Sequence, residues 1–306
     1  MLARLLGASP AVVAVAVIGV GAANARPQSA TVPALYAEAA VVVESGGRPA
    51  VALLSPAAKR WRVVSRIRVN RGIRALAWMP RGRKLAVTTN GGNLSNELQV
   101  IDALHGTHRT LATARRGEPP AFFGSLAWSP DGRWIAVTRS PELYDADIDL
   151  LDAKTGSVAR SFHASARYDS ALAWSADGRS LYFARQPTGH VQPSLQRLVV
   201  RTGKARPING LRGLDPSVRS DGALAFAAAD GIRVFRSGRE RNVAGSKKGD
   251  RLPIWLRGRS LVLAERPAAG CPRYGGPMVC SHVVLMGIGA APRYLIDAPA
   301  RNPATR

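Results

Sequence analysis

The sequence predicts an all-β fold of repeated four-stranded antiparallel units, and three observations lead to it. A short pattern occurs five times, its copies are spaced by about the length of one such unit, and each copy reads as two strands joined by a tight turn. Spacings of about 40–45 residues between β-type segments are typical of propeller blades. Helical repeats would need apolar residues at i, i+3 and i+4, which these segments lack. The predicted fold class is therefore a β-propeller of four-stranded antiparallel blades.

Three copies of the pattern are strong: LAWMPRGRKLAV from Leu76, LAWSPDGRWIAV from Leu126 and LAWSADGRSLYF from Leu172. Two copies are weaker: PSVRSDGALAF from Pro216 and PIWLRGRSLVL from Pro253. Their anchor positions lie 50, 46, 44 and 37 residues apart, and they are Trp78, Trp128, Trp174, Val218 and Trp255.

The second copy shows why the pattern suits two strands and a turn. In Leu126-Ala127-Trp128 the large side chains share one face and alanine lies on the other, because strand side chains alternate with a period of two. Ser129-Pro130-Asp131-Gly132 suits a tight turn, in which proline presets φ, aspartate bonds its own backbone and glycine accepts a positive φ. Trp134-Ile135-Ala136-Val137 then continues as the second strand.

Further strands complete the units on either side of this pattern. Outer hairpins are predicted at Leu98 to Leu111, Ile148 to Gly156, Leu195 to Ile208, Ile232 to Val243 and Val283 to Ile296. Before the first tryptophan, three more strands are predicted at Ala39 to Val43, Ala50 to Leu54 and Trp61 to Ser65. We therefore predict six blades, the first of them incomplete, with seven as the alternative count.

The turn sequence resembles the TolB-like propeller repeat, a relative of the WD40 class whose hallmark is W-S-P-D-G between a blade's inner strands. Trp128 to Gly132 matches in full, Trp174 to Gly178 departs only at the proline, and Trp78 to Gly82 keeps Trp, Pro and Gly. The resemblance spans Ala39 to Ala298. It implies a propeller, and no segment fits the α/β domain that precedes the propeller in TolB itself.

The N-terminus has the layout of a secretory signal peptide. Arg4 precedes an apolar run through Ala11 to Val20, and Ala23-Asn24-Ala25 offers a small-residue cleavage site. The alternative is a membrane anchor, although the run is short for a bilayer span. We divide the chain into a signal peptide (1–25), a linker (26–38), the propeller (39–298) and a C-terminal tail (299–306), and expect an extracytoplasmic location after cleavage.

The chain has two cysteines, Cys271 and Cys280. An exported protein with one such pair is predicted to form a disulfide, here closing the long insertion Pro267 to Ser281. Two free thiols are the alternative. A pair by itself does not supply the four ligands of a structural zinc site, and His282 adds at most one more.

The chain carries a formal net charge of +23, which attracts anions at long range. The cations are densest from Lys59 to Lys84, without one acid, and from Arg233 to Lys248, where Glu240 is the one acid. Arginine forks match phosphate and carboxylate groups, so a patch for an anionic partner is one interpretation. The other is compositional, since arginine greatly outnumbers lysine throughout. We expect no nucleic-acid partner, because no reading motif is present.

No catalytic or cofactor-binding residues are predicted. The sequence lacks the G-x-S-x-G elbow and the H-E-x-x-H motif. Its histidines are scattered, and no metal role is assigned to His105, His108, His163, His190 or His282. The acids Asp145, Asp147, Asp149 and Asp152 suggest calcium, but Leu150 stands where a calcium loop needs glycine, so a polar edge of the third strand is favoured. Asp131, Asp177 and Asp221 are assigned to turns.

Two functions follow from this pattern. The first is an exported, monomeric, non-enzymatic module that binds a protein or an acidic envelope polymer. Peripheral attachment to an anionic membrane surface through charge is a separate interpretation that is compatible with it. Its contacts would come from long loops: Thr89 to Glu97, Arg115 to Phe123, Gln186 to Pro193 and Pro267 to Ser281. The alternative is a hydrolase or polysaccharide lyase working in the central channel, by analogy with other propellers.

The signal-peptide assignment predicts the first residue of the exported protein. Cleavage after Ala25 leaves Arg26 as the new N-terminus, which N-terminal sequencing of the secreted or periplasmic fraction measures directly. A Met1 or Leu2 terminus in membrane-extracted protein would instead establish the anchor.

Overall fold

The computed structural model describes residues 13–14, 39–45, 48–57, 60–68, 72–80, 83–90, 95–115, 122–140, 145–167, 170–185, 192–255, 261–267, 281–287 and 290–296. Every regular element in these ranges is a β-strand, which confirms the predicted all-β class. Within the same ranges there is no helix with the length and apolar character needed to span a bilayer. Cys271, Cys280 and the predicted linker and tail lie outside the described residues.

The strands fall into consecutive groups of four, which we call blades 1 to 6, and neighbouring strands in a blade pair antiparallel. Blade 1 contains β1 (Val13–Ala14), β2 (Ala39–Ser45), β3 (Arg48–Ala57) and β4 (Arg60–Arg68). Blade 2 contains β5 (Gly72–Trp78), β6 (Lys84–Asn90), β7 (Ser95–Asp102) and β8 (His108–Arg115). Blade 3 contains β9 (Phe122–Trp128), β10 (Trp134–Ser140), β11 (Asp145–Asp152) and β12 (Val158–Arg167).

The second half of the chain repeats this order. Blade 4 contains β13 (Ala173–Trp174), β14 (Ser180–Arg185), β15 (Ser194–Val199) and β16 (Lys204–Arg212). Blade 5 contains β17 (Leu214–Val218), β18 (Leu224–Ala228), β19 (Gly231–Arg236) and β20 (Arg239–Asn242). Blade 6 contains β21 (Arg251–Trp255), β22 (Leu261–Pro267), β23 (Ser281–Gly287) and β24 (Ala290–Ile296).

The predicted hairpins agree with these strands, but the blade count of six stays a prediction. Blades 3 and 4 are joined into one sheet by the single residue pair Ala166 and Arg185. The innermost strand of blade 1 is only Val13–Ala14, which pairs with Val42 and Val43 of β2. Because β1 lies inside the predicted signal peptide, cleavage after Ala25 would leave blade 1 with the three strands that the sequence assigns to it.

The W-S-P-D-G segment forms the predicted tight turn between the inner strands of blade 3. The Gly132 amide donates to the Ser129 carbonyl at 2.9 Å, and Gly132 has a φ of 73°, which glycine adopts without steric cost. The Asp131 carboxylate accepts from the Arg133 amide at 3.0 Å. The turn residues therefore satisfy their own backbone, as their sequence predicts.

Apolar side chains pack between neighbouring blades rather than inside one blade. The cluster between blades 2 and 3 includes Leu98 and Val100 from β7 together with Ile135 and Leu151 from blade 3. Similar clusters lie between blades 3 and 4, blades 4 and 5, and blades 5 and 6. The sheets of blades 3, 4 and 5 are consequently covered on both faces, as in a propeller.

In blades 3, 4 and 6 the anchor tryptophan links the blade to the one before it. The Trp128 indole Nε1 donates to the Ala77 carbonyl at 3.1 Å, and the Trp174 indole donates to the Ala127 carbonyl at 3.1 Å. The Trp255 indole makes the same bond to the Ser217 carbonyl at 3.1 Å. In each case the acceptor immediately precedes the anchor position of the previous blade, so these bonds set the alignment of adjacent inner strands.

Removing one of these indole donors is expected to destabilise the protein. In Trp128→Phe the ring remains but the bond to the Ala77 carbonyl is lost, which should lower the free energy of unfolding by about 1–3 kcal/mol. Urea denaturation followed by circular dichroism measures the change.

The matched control is Trp134→Phe in the same blade. Trp134 is only partly buried and stacks against the Arg133 guanidinium at 4.8 Å, a contact that phenylalanine also makes. Its expected cost is about 0.5 kcal/mol or less. Equal losses in the two variants would show that the indole bond contributes nothing beyond ring volume.

Candidate binding surface at the loop rim

The antiparallel order of the strands gives the propeller two different rims. Turns between strands 1 and 2 and between strands 3 and 4 lie at one end of every blade, here called the turn rim. Connections between strands 2 and 3, and from strand 4 to the next blade, lie at the opposite end, here called the loop rim. The Ser129 to Gly132 turn belongs to the turn rim.

The four loops predicted to carry function all connect strand ends of the loop rim. Thr89 to Glu97, Gln186 to Pro193 and Pro267 to Ser281 each join the second strand of a blade to its third. Arg115 to Phe123 joins blade 2 to blade 3. Most residues of these loops lie outside the described ranges, but the strand ends that flank them belong to one rim. Residues distant in sequence are therefore attached to a common surface.

An arginine occupies the same position near the end of the second strand in three blades. Arg139, Arg185 and Arg266 each follow the anchor tryptophan of their repeat by eleven residues. The strand registers Trp128 to Ile135, Trp174 to Leu181 and Trp255 to Val262 confirm that the positions are equivalent. Sequence reasoning missed this set, although aligning the repeats on tryptophan would have found it.

In blade 3 this arginine holds two of the acids that suggested calcium. Arg139 Nε contacts Asp149 Oδ2 at 2.5 Å, and Arg139 Nη2 contacts Asp147 Oδ2 at 3.4 Å. Hydrogen bonding to Asp149 raises the pKa of the Arg139 guanidinium. His163 Nδ1 lies 2.9 Å from the other oxygen of Asp147. Two of the four acids are thus paired with a cation.

The members of that acidic set differ in burial and in their hydrogen-bond partners. Asp149 is 1% exposed and is therefore a buried residue, not the polar edge that the sequence suggested. Asp152 accepts from the Lys154 amide at 2.9 Å and the Thr155 amide at 2.8 Å, which closes the outer turn. The side chain of Asp145 lies outside the described part. Among the described residues, no group of three or more histidine, cysteine, aspartate or glutamate side chains is arranged to hold a metal ion.

In blade 6 the equivalent arginine makes a buried ion pair across the connection from blade 5. Arg266 Nε and Nη2 each lie 2.8 Å from a carboxylate oxygen of Asp250, and Asp250 is 1% exposed. Arg266 also donates to the Gly245 carbonyl at 2.8 Å, and the Lys247 amide donates to Asp250 at 2.7 Å. This two-pronged geometry fixes the connecting segment that enters β21.

A third buried carboxylate links the inner strands of blades 5 and 6 to the segment that enters the inner strand of blade 4. Asp215 at the start of β17 is fully buried and accepts from Arg251 Nε at 2.6 Å and from the Leu252 amide at 3.2 Å, both in blade 6. On the other side it accepts from the Ala171 amide at 3.0 Å, while its own amide donates to the Ser170 hydroxyl at 2.8 Å. Asp215 thus joins blades 4, 5 and 6 at the loop rim.

The backbone near this carboxylate is strained at two related positions. Asp215 has a φ of 54° and Leu252 a φ of 50°, in the left-handed region that side chains seldom adopt. Both lie three residues before the anchor position of their repeats, where the pairing with the second strand is irregular. Such a strained backbone persists only where surrounding contacts hold it in place, and the hydrogen bonds of Asp215 provide those contacts.

The three acids assigned to turns have that role. Asp131 and Asp177 each accept from the hydroxyl of the serine two residues earlier at 2.5 Å. The bond from Ser175 is the main reason that the pKa of Asp177 is lowered. Asp221 accepts from the Ala223 amide at 3.2 Å and from Arg219 at 2.8 and 2.7 Å, and the Arg219 bonds lower its pKa strongly.

The second basic block is partly neutralised. Arg233 pairs with Asp230 at 2.7 Å and with Glu240 at 2.6 Å, and these bonds raise its pKa, that to Asp230 most. Arg236 lies 3.1 Å from Asp221. The cations at 239, 241, 247 and 248 are exposed. Most side chains of the first block, Lys59 to Lys84, lie outside the described part.

The buried carboxylate at position 215 is expected to be essential for stability. Asp215→Ala removes the carboxylate that accepts from the Arg251 guanidinium and from two backbone amides, and breaking such a buried pair costs about 3–5 kcal/mol of unfolding free energy. Chemical denaturation measures the loss. The control is Asp221→Ala, which removes a solvent-exposed ion pair and should cost about 0–1 kcal/mol. A small effect at Asp215 would mean that the three inner strands align without it.

Comparisons with known proteins rest on structure, since no protein-family model and no curated protein sequence matches the chain. TolB from Acinetobacter baumannii has a similar structure, with a TM-score of 0.59 and 14% identity over 91% of this chain. The chain spans 61% of the length of that TolB. A prolyl endopeptidase structure matches 75% of this chain and 37% of its own, with 13% identity and a TM-score of 0.47. The fold of this chain is therefore that of a TolB-like β-propeller.

Proposed function

We propose that the protein is an exported, non-enzymatic binding or scaffold module that presents its loop rim to a protein or to an anionic polymer of the cell envelope. The observation that carries the proposal is the attachment of all four long, dissimilar loops to strand ends of one rim. Loops held by a rigid scaffold are the usual carriers of recognition.

The charges described at this rim support a positioning role. The acids Asp149, Asp215 and Asp250 are buried and each is held by an arginine. An arginine nitrogen lies 2.5 to 2.8 Å from each carboxylate, and burial leaves little of their surface for contact with a ligand. They are well suited to fix the strand ends from which the loops leave.

The proposed location rests on the N-terminal sequence. A basic residue, an apolar run and Ala23-Asn24-Ala25 form the layout of a secretory signal, which would place the binding module outside the cytoplasm. The predicted disulfide between Cys271 and Cys280 is consistent with that compartment, since disulfides persist in oxidising surroundings.

Affinity capture with two matched variants tests the proposal. The purified exported protein is incubated with envelope extract at low and at high salt, and the retained material is analysed by mass spectrometry. In the loop-rim variant, residues 187–190 are replaced by a Gly-Ser segment of equal length. In the turn-rim control, the exposed residues His105 and Lys154 are changed to alanine.

We expect one partner to be retained at both salt concentrations, with recovery reduced about tenfold in the loop-rim variant and unchanged in the control, because few residues carry most of an interface's energy. Equal retention by both variants would exclude the loop rim. A hydrolase or lyase activity abolished by one acid-to-amide change would contradict the non-enzymatic part of the proposal. Thermal unfolding of each variant verifies that it is folded.

A further inference from the structure

An arginine on the outer strand clamps the next blade in two successive blades. Arg109 on β8 donates to the carbonyls of Ala153 and Lys154 in blade 3, at 3.3 and 3.1 Å. Arg160 on β12 donates to the carbonyls of Val200 and Arg201 in blade 4, at 2.6 and 3.2 Å. In both cases the acceptors are the first two residues after the third strand of the next blade.

Arg206 on β16 is the next member of this series. It pairs across the sheet with Arg197, as Arg160 pairs with Leu150 and Arg109 with Val100. Among the described residues, however, no acceptor lies within hydrogen-bonding distance of the Arg206 guanidinium.

The turn of blade 5 explains why this arginine does not clamp. Arg236 pairs with Arg239, so the outer strands of blade 5 are joined by only Ser237 and Gly238. Both residues have a positive φ, 49° and 76°, as a two-residue hairpin turn requires. The acceptor residues in blades 3 and 4 do not have a positive φ, so the backbone that follows the third strand has a different conformation in blade 5.

The cross-strand partner of Arg206 is exposed as well. Val100 and Leu150 are buried against the next blade, whereas Arg197 at the equivalent position is exposed. Its Nε donates to the Ser180 hydroxyl at 3.0 Å, which leaves the two terminal nitrogens for another acceptor. Two arginines thus stand directly opposite each other on neighbouring strands, an arrangement that is destabilising without an anion.

The surrounding charges do not neutralise this pair. The hairpin from Ser194 to Arg212 contains five cations and no acid. Lys204 lies two residues from Arg206, so its side chain shares the same face. Blades 2 and 3 end their third strands with Asp102 and Asp152, but blade 4 has Val199 there.

One acid, Asp177, lies close enough for Arg197 to influence it. The hydrogen bond from Ser175 lowers the pKa of Asp177 most, and the positive charge of Arg197 adds a smaller contribution. The carboxylate already accepts from the Ser175 hydroxyl and from the Arg179 amide. It therefore remains committed to its turn and makes no ion pair with Arg197.

We propose that Arg197 and Arg206, with Lys204 beside them, form a binding site for the phosphate groups of an anionic polymer. A phosphate has enough oxygens to accept from two guanidinium forks at once, and it would relieve the repulsion between them. The inference deepens the proposed function by naming a surface for the anionic partner. It rests on the proposed function only in taking an anionic polymer as that partner.

A flexible chain fits this surface better than a bilayer does. Arg197 shares its face with Tyr182, its partner on β14, and Tyr182 packs against the cluster between blades 4 and 5. The two arginines therefore lie on the side of the sheet that faces blade 5. The facing wall carries Glu240, which pairs across the sheet with Phe235 of the same cluster. Glu240 is already paired with Arg233 at 2.6 Å, and a polymer strand can enter between the two sheets, where a flat bilayer would meet only their outer edge.

Binding of long-chain inorganic polyphosphate to the purified protein, measured by titration calorimetry, tests the site. The test variant is Arg197→Gln with Arg206→Gln. The control is Arg241→Gln with Lys248→Gln, which removes the same charge from two exposed cations, and Arg241 lies opposite Val234 and not opposite another cation. We expect affinity to fall about tenfold or more in the test variant and less than about twofold in the control. Equal losses in both variants, or no loss in either, would overturn the site.

Two further measurements distinguish a phosphate-polymer site from a loss of stability and from a membrane surface. Because the substitution removes a like-charge pair, the test variant should unfold at a Tm no lower than that of the unaltered protein, and polyphosphate should raise the Tm of the latter only. Vesicles of phosphatidylglycerol should bind both variants equally. A vesicle-binding loss confined to the test variant, with polyphosphate binding unchanged, would overturn the polymer in favour of a membrane surface.

The outcome is distinguishable from a failure of the proposed function. Envelope capture through the loop rim should be unaltered in the Arg197 and Arg206 variant if the partner is a protein. If polyphosphate binding does not depend on Arg197 and Arg206 while envelope capture is intact, only the anion site is overturned. Empty capture with site-dependent polyphosphate binding would overturn only the loop-rim proposal.

Discussion

The hydrogen bond from a tryptophan indole to the backbone of the preceding blade is the interaction on which the rest of this structure depends. It occurs at Trp128, Trp174 and Trp255 with the same length of 3.1 Å. The bond fixes one inner strand against the next, so the apolar faces of neighbouring sheets meet in register. The buried clusters between the blades follow from that alignment, because side chains pack well only when their strands are correctly offset.

The junction between blades 4 and 5 lacks this device, since Val218 stands at the anchor position. Here a buried carboxylate takes over the alignment. Asp215 is bonded on one side to the segment that enters the inner strand of blade 4 and on the other to the inner strand of blade 6. Burying a carboxylate is unfavourable unless its oxygens are fully paired. The Arg251 guanidinium and the backbone amides of Ala171 and Leu252 provide that pairing. The sheet order is thus maintained by polar contacts where the aromatic contact is missing.

Blade 5 also differs at its outer edge, and this difference affects the protein surface. A turn of two residues replaces the longer turns of blades 3 and 4, and the arginine clamp that precedes it has no carbonyl to hold. The position that is apolar and buried in blades 2 and 3 becomes an exposed arginine in blade 4. A shorter turn in blade 5 and an arginine at position 197 of blade 4 thus coincide with two exposed cations where blades 2 and 3 have a structural contact.

The sequence by itself determined the elements of this protein. Alternation around Leu126 and Trp128, the turn at Ser129 to Gly132 and the repeat spacing predict strands, hairpins and the propeller class, because each depends on residues close together in the chain. Tertiary structure decided the rest. The partners of Asp215 lie 36 to 45 residues away, and Asp149 is buried by packing that its own strand does not reveal. Whether an arginine clamps a neighbour or faces solvent depends on the turn of the next blade, since contacts between blades join residues that are remote in sequence.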